Sequence, residues 1–91
     1  HADLYLMGVT GVHAKVGLST GDLEEAYVKR ALSDRAAETL VLASREKLGV
    51  ASAYIIAPVT QVSGLIVEPD VEEGMLQPYR DLGLTVYRAQ G

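Results

Sequence analysis

The 91-residue chain has no cysteine, no tryptophan and no phenylalanine, and its whole aromatic content is five tyrosines. Without cysteine, disulfides and thiolate metal sites are both excluded. Of the two histidines one is terminal, and His13 alone is a poor basis for a metal site. No apolar run approaches the ~20 residues of a membrane span. Nor does any basic stretch lead into an apolar core and a small-residue cleavage site, as a secretory signal would. Eight Lys plus Arg stand against twelve Asp plus Glu, for a net charge of −4, and no basic run exceeds the pair Lys29-Arg30. A binder of phosphate backbones needs a clustered basic face, so the chain by itself does not read as a nucleic-acid binder. Repeats, low-complexity tracts and linkers are absent too.

What remains has the composition of a soluble globular chain, 48% hydrophobic and 22% charged. The length fits one domain or part of one, able to bury a little over ~60% of its unfolded surface. The chain starts with His1 rather than Met, so it is expected to be a processed or excised piece of a longer protein.

Asp3 to Met7 is a short apolar run stopped by Gly8, which reads as a buried strand. Gly8, Gly11, Gly17 and Gly21 then punctuate a stretch too long for a tight turn, and such loops are commonly functional. From Asp22 the apolar spacing of Leu23, Ala26, Tyr27, Ala31 and Leu32 predicts a helix, with Ser19 or Thr20 as N-cap. Acids open it and bases follow, in the order that the helix dipole favours. Thr39–Ala43, Ala53–Ala57 and Gly64–Val67 read as three further strands. Asp70, with Glu73 three residues on, predicts the start of a short helix that Pro78 should kink or cut short and Gly83 should end. Leu84–Tyr87 is a last strand. Continuous apolar strands separated by helices predict an α/β fold, a mostly parallel sheet with helices on both faces. Ligands of such sheets bind at the carboxyl ends of the strands.

At those ends the sequence places Gly8-Val9-Thr10-Gly11-Val12-His13, where glycines let backbone N–H groups approach a ligand and Thr10 adds a hydroxyl. Neither GxGxxG nor GxxxxGK[ST] is present, so from its residues alone the stretch reads as a plain strand-to-helix crossover before it reads as a ligand loop. Glu25 and Lys29 form a helical i,i+4 pair worth only ~0.2–0.5 kcal/mol. Lys47 follows a strand closely enough to meet an anion, or to be an ordinary surface lysine. Ser44 at the same strand tip suits either a sugar hydroxyl or a turn. No Ser/His/Asp order suggests a triad, and no pair of carboxylates stands out as acid and base.

Four linked segments, Asp3-Leu-Tyr-Leu-Met-Gly-Val-Thr-Gly-Val12, Gly17-Leu-Ser-Thr20, Glu24-Glu-Ala-Tyr-Val-Lys-Arg-Ala-Leu32 and Val41-Leu-Ala-Ser-Arg-Glu-Lys-Leu-Gly49, carry a resemblance. In order and spacing the text resembles the effector-binding domain of DeoR-family bacterial transcription regulators. The resemblance implies an N-terminal winged helix-turn-helix and a larger sensor whose fold is shared with ribose-5-phosphate isomerase and CoA transferases. Residues 1–91 would be the second half of that sensor. It implies a cytoplasmic homo-oligomer with no cofactor, whose effector is a phosphorylated sugar or related metabolite. Operator DNA would be met only through the N-terminal reader.

Carried over by position, Gly8, Thr10 and Gly11 would form the mouth loop, and Gly17 would start the segment leading into the helix. Glu25 and Lys29 would face sugar or phosphate, and Lys47 would match the family's lysine after the next strand. Ser44 stands where the family commonly has Asp, which unsettles any charge pairing with Lys47. Two other readings compete: an isomerase with Glu25 as base, and a module that only associates.

If the first half of the sheet lies elsewhere, one strand of this chain is an unpaired edge, a template for pairing. The isolated chain should therefore sediment above the mass of one copy, and a compact monomer with every edge covered would contradict this.

Overall fold

The computed structural model describes residues 2–90; His1 lies outside the described residues. In chain order the elements are β1 (Ala2–Gly8), β2 (Gly11–His13), β3 (Gly17–Thr20), α1 (Leu23–Arg35), β4 (Ala36–Leu42), β5 (Tyr54–Ala57), β6 (Gly64–Val67), α2 (Glu73–Asp81) and β7 (Thr85–Arg88). Short 3-10 turns at Arg45–Lys47 and Val59–Gln61 follow β4 and β5. β1, β4, β6 and β7 pair in that order into a four-stranded sheet, every pairing parallel. β2, β3 and β5 form a separate three-stranded antiparallel sheet.

The α/β class and the parallel sheet agree with the sequence. The Gly-rich stretch, however, is not a loop but the β2–β3 hairpin, and the Ala53–Ala57 run joins that hairpin instead of the main sheet. Gly17 makes the hairpin possible. Its φ is +117° and a Cβ there would sit 2.6 Å from the carbonyl oxygen of Ala57, so a residue with a side chain would be strained and crowded at once.

The pleat sorts the main sheet into two faces. Met7, Val41 and Leu65 stand side by side in register, each fully buried, with Val86 beside Leu65 partly buried. This face carries the core. The alternate row, Leu4 and Leu6 of β1, Leu42 of β4 and Tyr87 of β7, remains roughly half exposed. Helices on both faces are therefore not what the described residues form. Ser33 of α1 reaches Thr39, on the Val41 side, at 2.9 Å, and α2 buries Leu76 and Tyr79 in the core. The sheet's other face is left bare.

The N-cap of α1 is Asp22 rather than Ser19 or Thr20. Its carboxylate accepts the N–H of Glu25 at 3.0 Å, satisfying one of the orphan donors of the first turn. Ser19 and Thr20 are unavailable because both are buried in β3, and Ser19 Oγ accepts the N–H of Ser52 at 2.8 Å. α1 turns only Ala26, Lys29 and Ser33 inward, while Leu23, Tyr27, Val28 and Leu32 are exposed. α2 begins after Glu72, with no side-chain cap, rather than at Asp70. Pro78 deprives the Gly74 carbonyl of its intrahelical donor, yet the helix continues to Asp81 before Gly83, at φ +90°, ends it.

Two long-range ties close the structure. The Tyr79 hydroxyl donates to the carbonyl of Val12 at 2.6 Å and accepts the N–H of Gly49 at 3.1 Å. Burial raises its pKa above that of free tyrosine. Glu73, in the first turn of α2, receives Arg80 and Arg88 at 2.9 Å each. Arg88 also donates to the carbonyls of Pro69 and Val71, at 2.9 and 2.7 Å. Arg80, then Arg88, holds the Glu73 carboxyl below the usual glutamate range.

Tyr79→Phe should cost ~0.5–1.5 kcal/mol in urea unfolding, one buried hydrogen bond, because Gly49 N–H still reaches the Val12 carbonyl. Glu73 has a folded-state pKa below its unfolded value. Its contribution is therefore present above about pH 4.3 and lost as pH falls through the folded value. Denaturation midpoints across pH 2.5–6, a window of about that span around the glutamate value, should show Glu73→Gln less stable near the top and converging with the unmodified chain near the bottom.

Candidate functional site

β1, β4 and β6 all point their carboxyl ends the same way, and Gly8, Leu42 and Ile66 lie level across the three. With neighbouring strands ~4.8 Å apart, the segments that leave these strands are gathered on one rim of the sheet. That rim holds most of the residues singled out from the sequence.

At the tip of β1, the Lys29 ammonium hydrogen-bonds the Gly8 carbonyl and stands 3.9 Å from a Glu25 oxygen. The lysine side chain is 20% exposed and the glutamate 58%, so the pair is a partly shielded cation beside a solvated acid. Thr10 is exposed, and its N–H donates to the Ser19 carbonyl at 3.0 Å. Its hydroxyl lies 2.6 Å from Ser52 Oγ and 3.3 Å from the Ser19 carbonyl. Gly11 is demanded by close packing, since a Cβ there would lie 2.4 Å from the Val50 carbonyl oxygen and 2.7 Å from Ser19 Oγ. Gly17 is elsewhere: it is buried in the hairpin against Ala57 and presents nothing to the rim.

At the tip of β4, Ser44 and Lys47 border a shallow hollow of about 290 Å³ whose other walls include Leu42, Ile66 and Glu68. Ser44 Oγ donates to Glu46 at 2.7 Å. That bond, a backbone N–H and the nearby Lys47 charge together lower the Glu46 pKa. Glu68, from the end of β6, accepts the N–H of Arg45 at 2.6 Å, and Arg45 donates to the Asp70 carbonyl at 2.8 Å. The 3-10 turn that carries Lys47 is thereby tied to the next strand's loop. The Lys47 ammonium makes no hydrogen bond or direct ion pair among the described residues.

Ser19 and Ser52 join this constellation although neither stands out in the sequence. Ser52 sits in a short stretch between turn and strand with no periodicity to flag it, and Ser19 reads as a capping residue. His13 uses its Nδ1 to accept the N–H groups of Lys15 and Val16, both at 3.1 Å, which closes the β2–β3 turn. No cluster of potential metal ligands occurs among the described residues, and none of their helices is long and apolar enough to cross a membrane.

Two ammonium groups, the hydroxyls of Thr10, Ser44 and Ser52 and a glycine-bordered loop on one sheet edge provide charge-assisted donors for an anion and neutral partners for hydroxyl groups. Glu25, Glu46 and Glu68 are the acids beside them. None is paired with a second carboxylate or an imidazole in the way general acid–base chemistry uses.

A curated relative, the HTH-type transcriptional regulator GolR of Listeria innocua serovar 6a (strain ATCC BAA-680 / CLIP 11262), is 29% identical over 90 residues, which is 99% of this chain. The same stretch is 35% of that protein, so the chain spans about a third of the relative's length. The family profile described as the DeoR C terminal sensor domain matches residues 1–69, from β1 through the end of β6, and so takes in every rim residue described above. With most of its length matched by that profile, the chain belongs to the DeoR C-terminal sensor domain family.

Proposed function

We propose that the rim at the carboxyl edge of the parallel sheet is an effector site for a phosphorylated sugar or a related anionic metabolite. Its occupancy would then modulate DNA binding by a helix-turn-helix elsewhere in the same polypeptide. The observation that carries this reading is the level placement of Gly8 and Leu42. It brings the ends of β1 and β4 to one edge of the sheet, with Lys29 and Thr10 at the first and Ser44 and Lys47 at the second, in a family of regulator sensors. A phosphate dianion would take Lys47 and backbone N–H groups, and the Thr10–Ser52 hydroxyl pair would serve the sugar.

Glu46 answers the departure at position 44. The carboxylate common there in the family is lost, but Ser44 holds another one two residues on, close enough for Lys47 to lower its pKa. In this reading the sheet is part of a sugar-phosphate isomerase and CoA-transferase type of fold, and the protein acts in the cytoplasm. It senses and does not turn over its ligand. Glu25, the nominated base of an isomerase, lies on an exposed helix face with its carboxylate beside Lys29, which suits a solvated pair better than a tuned base. The bare sheet face also favours association, so a homo-oligomeric sensor accommodates both.

Thermal melting of the full-length regulator against sugar phosphates and their unphosphorylated partners tests the reading. A ligand at ~100 times its dissociation constant adds about 2.7 kcal/mol, so one phosphorylated sugar should raise the melting temperature by several degrees and its free sugar should not. Lys47→Ala should remove the shift, and Lys29→Ala should weaken it. A shift that persists in both variants, or none with any phosphorylated sugar, overturns the proposal.

A further inference from the structure

We propose that the protein has a second small-molecule site, selective for a compact organic anion with an apolar or aromatic body, in the cleft between α2 and the β2–β3 hairpin. The cleft measures about 470 Å³, within the ~300–1,000 Å³ of small-molecule sites and larger than the hollow beside Ser44. It shares no lining residue with the rim. The effector assignment and this one therefore stand or fall separately.

Ala14, Leu48, Met75, Pro78 and the ring of Tyr79 supply an apolar wall from three separate parts of the chain. Gly49 and Gly74 line the rest, and a Cβ at either would meet nothing within 4 Å, so the space in front of both is open. Pro78 gives the helix an apolar ring here in exchange for a backbone donor. These features match the largely apolar interior of a small-molecule site, which a few fixed polar groups then orient.

The polar groups are His13 and Lys15. Because His13 Nδ1 accepts two backbone N–H groups, it carries no proton, and Nε2 must be the protonated nitrogen in the neutral ring. The ring thus offers one donor whose direction the turn has fixed. Lys15, two residues on, has no ion-pair partner among the described residues. No Asp or Glu lines the cleft, although the chain carries twelve of them against eight bases. Two donors without an acceptor, in an otherwise acidic molecule, favour an anion. The surrounding wall has little to offer a sugar and suits a ring or short alkyl body.

Isothermal titration of the intact protein with phenylacetate as probe, and with 2-phenylethanol as its uncharged counterpart, tests this. One charge-assisted hydrogen bond favours the acid by about tenfold in dissociation constant. Gly74→Leu projects a side chain into open space, improves the helix position and should abolish phenylacetate binding while leaving the melting temperature unchanged or raised. Lys15→Glu, on an exposed turn, should weaken binding by at least about tenfold through loss of the same contact and repulsion, and Lys47→Ala should not affect it. Equal affinity for acid and alcohol, retention of binding in Gly74→Leu, loss in Lys47→Ala, or no measurable heat each overturns the assignment.

Discussion

The fully buried row Met7, Val41 and Leu65 is the constraint on which the rest of the molecule depends. Three apolar side chains from strands distant in sequence can share one dry layer only if β1, β4 and β6 run parallel in that single register. A slip of one residue would turn each of them to the opposite face. Each of the three side chains is worth ~1.5–3 kcal/mol of burial, so the register is strongly held. Everything at the strand ends inherits it. Gly8 stands level with Leu42 because Met7 stands level with Val41, and the loops bearing Lys29's acceptor and Lys47 emerge together for the same reason.

The same alternation explains the bare face. Once Met7, Val41 and Leu65 point to the core, Leu4, Leu6, Leu42 and Tyr87 must point away from it. A monomer seldom leaves a contiguous apolar patch of this kind uncovered. α1 repeats the pattern on a smaller scale. Its inward stripe is Ala26, Lys29 and Ser33, small or polar, while Leu23, Tyr27, Val28 and Leu32 face outward. A helix whose apolar residues face solvent is held by its ends and its few polar ties. In α1 these include the Asp22 cap, the Lys29 bond to Gly8 and the Ser33–Thr39 pair.

The strands of the main sheet, the first helix and the Gly83 stop were legible because each rests on local signals: an apolar run, a periodicity, a left-handed glycine. The hairpin was not, because β2 and β3 are three and four residues long and their glycines look like loop punctuation. The three residues between them, followed by Gly17, were the available hairpin signal. Choosing Asp22 over Ser19 as N-cap depends on β5 pairing with β3, a contact across more than thirty residues of sequence that no local reading contains. Of the rim, Thr10, Ser44 and Lys47 could be nominated because they follow strands, and Lys29 through its helical spacing from Glu25 and the family resemblance. Ser52 could not, since only the fold brings it to Thr10.

Sensing demands that the ligand bind two arrangements of the protein unequally, so the useful question is which rim donors are free to differ. The turn carrying Lys47 is clamped on both sides. Arg45 is bonded to Glu68 and Asp70 beyond β6, and Gly49 is bonded to Val12 and to the Tyr79 hydroxyl. Lys47 is therefore a donor on a fixed base, suited to anchoring an anion without itself moving. Lys29 is the opposite case: its base is a helix with one well-buried residue, Ala26, and its head is already engaged with Gly8 and Glu25. An anion that draws the ammonium off the Gly8 carbonyl must tilt either the side chain or the helix. A tilt of α1 would carry its exposed apolar stripe with it, toward or away from whatever covers that stripe. Of the two lysines, then, Lys47 is the one on which the proposed ligand would be anchored and Lys29 the one placed to report it.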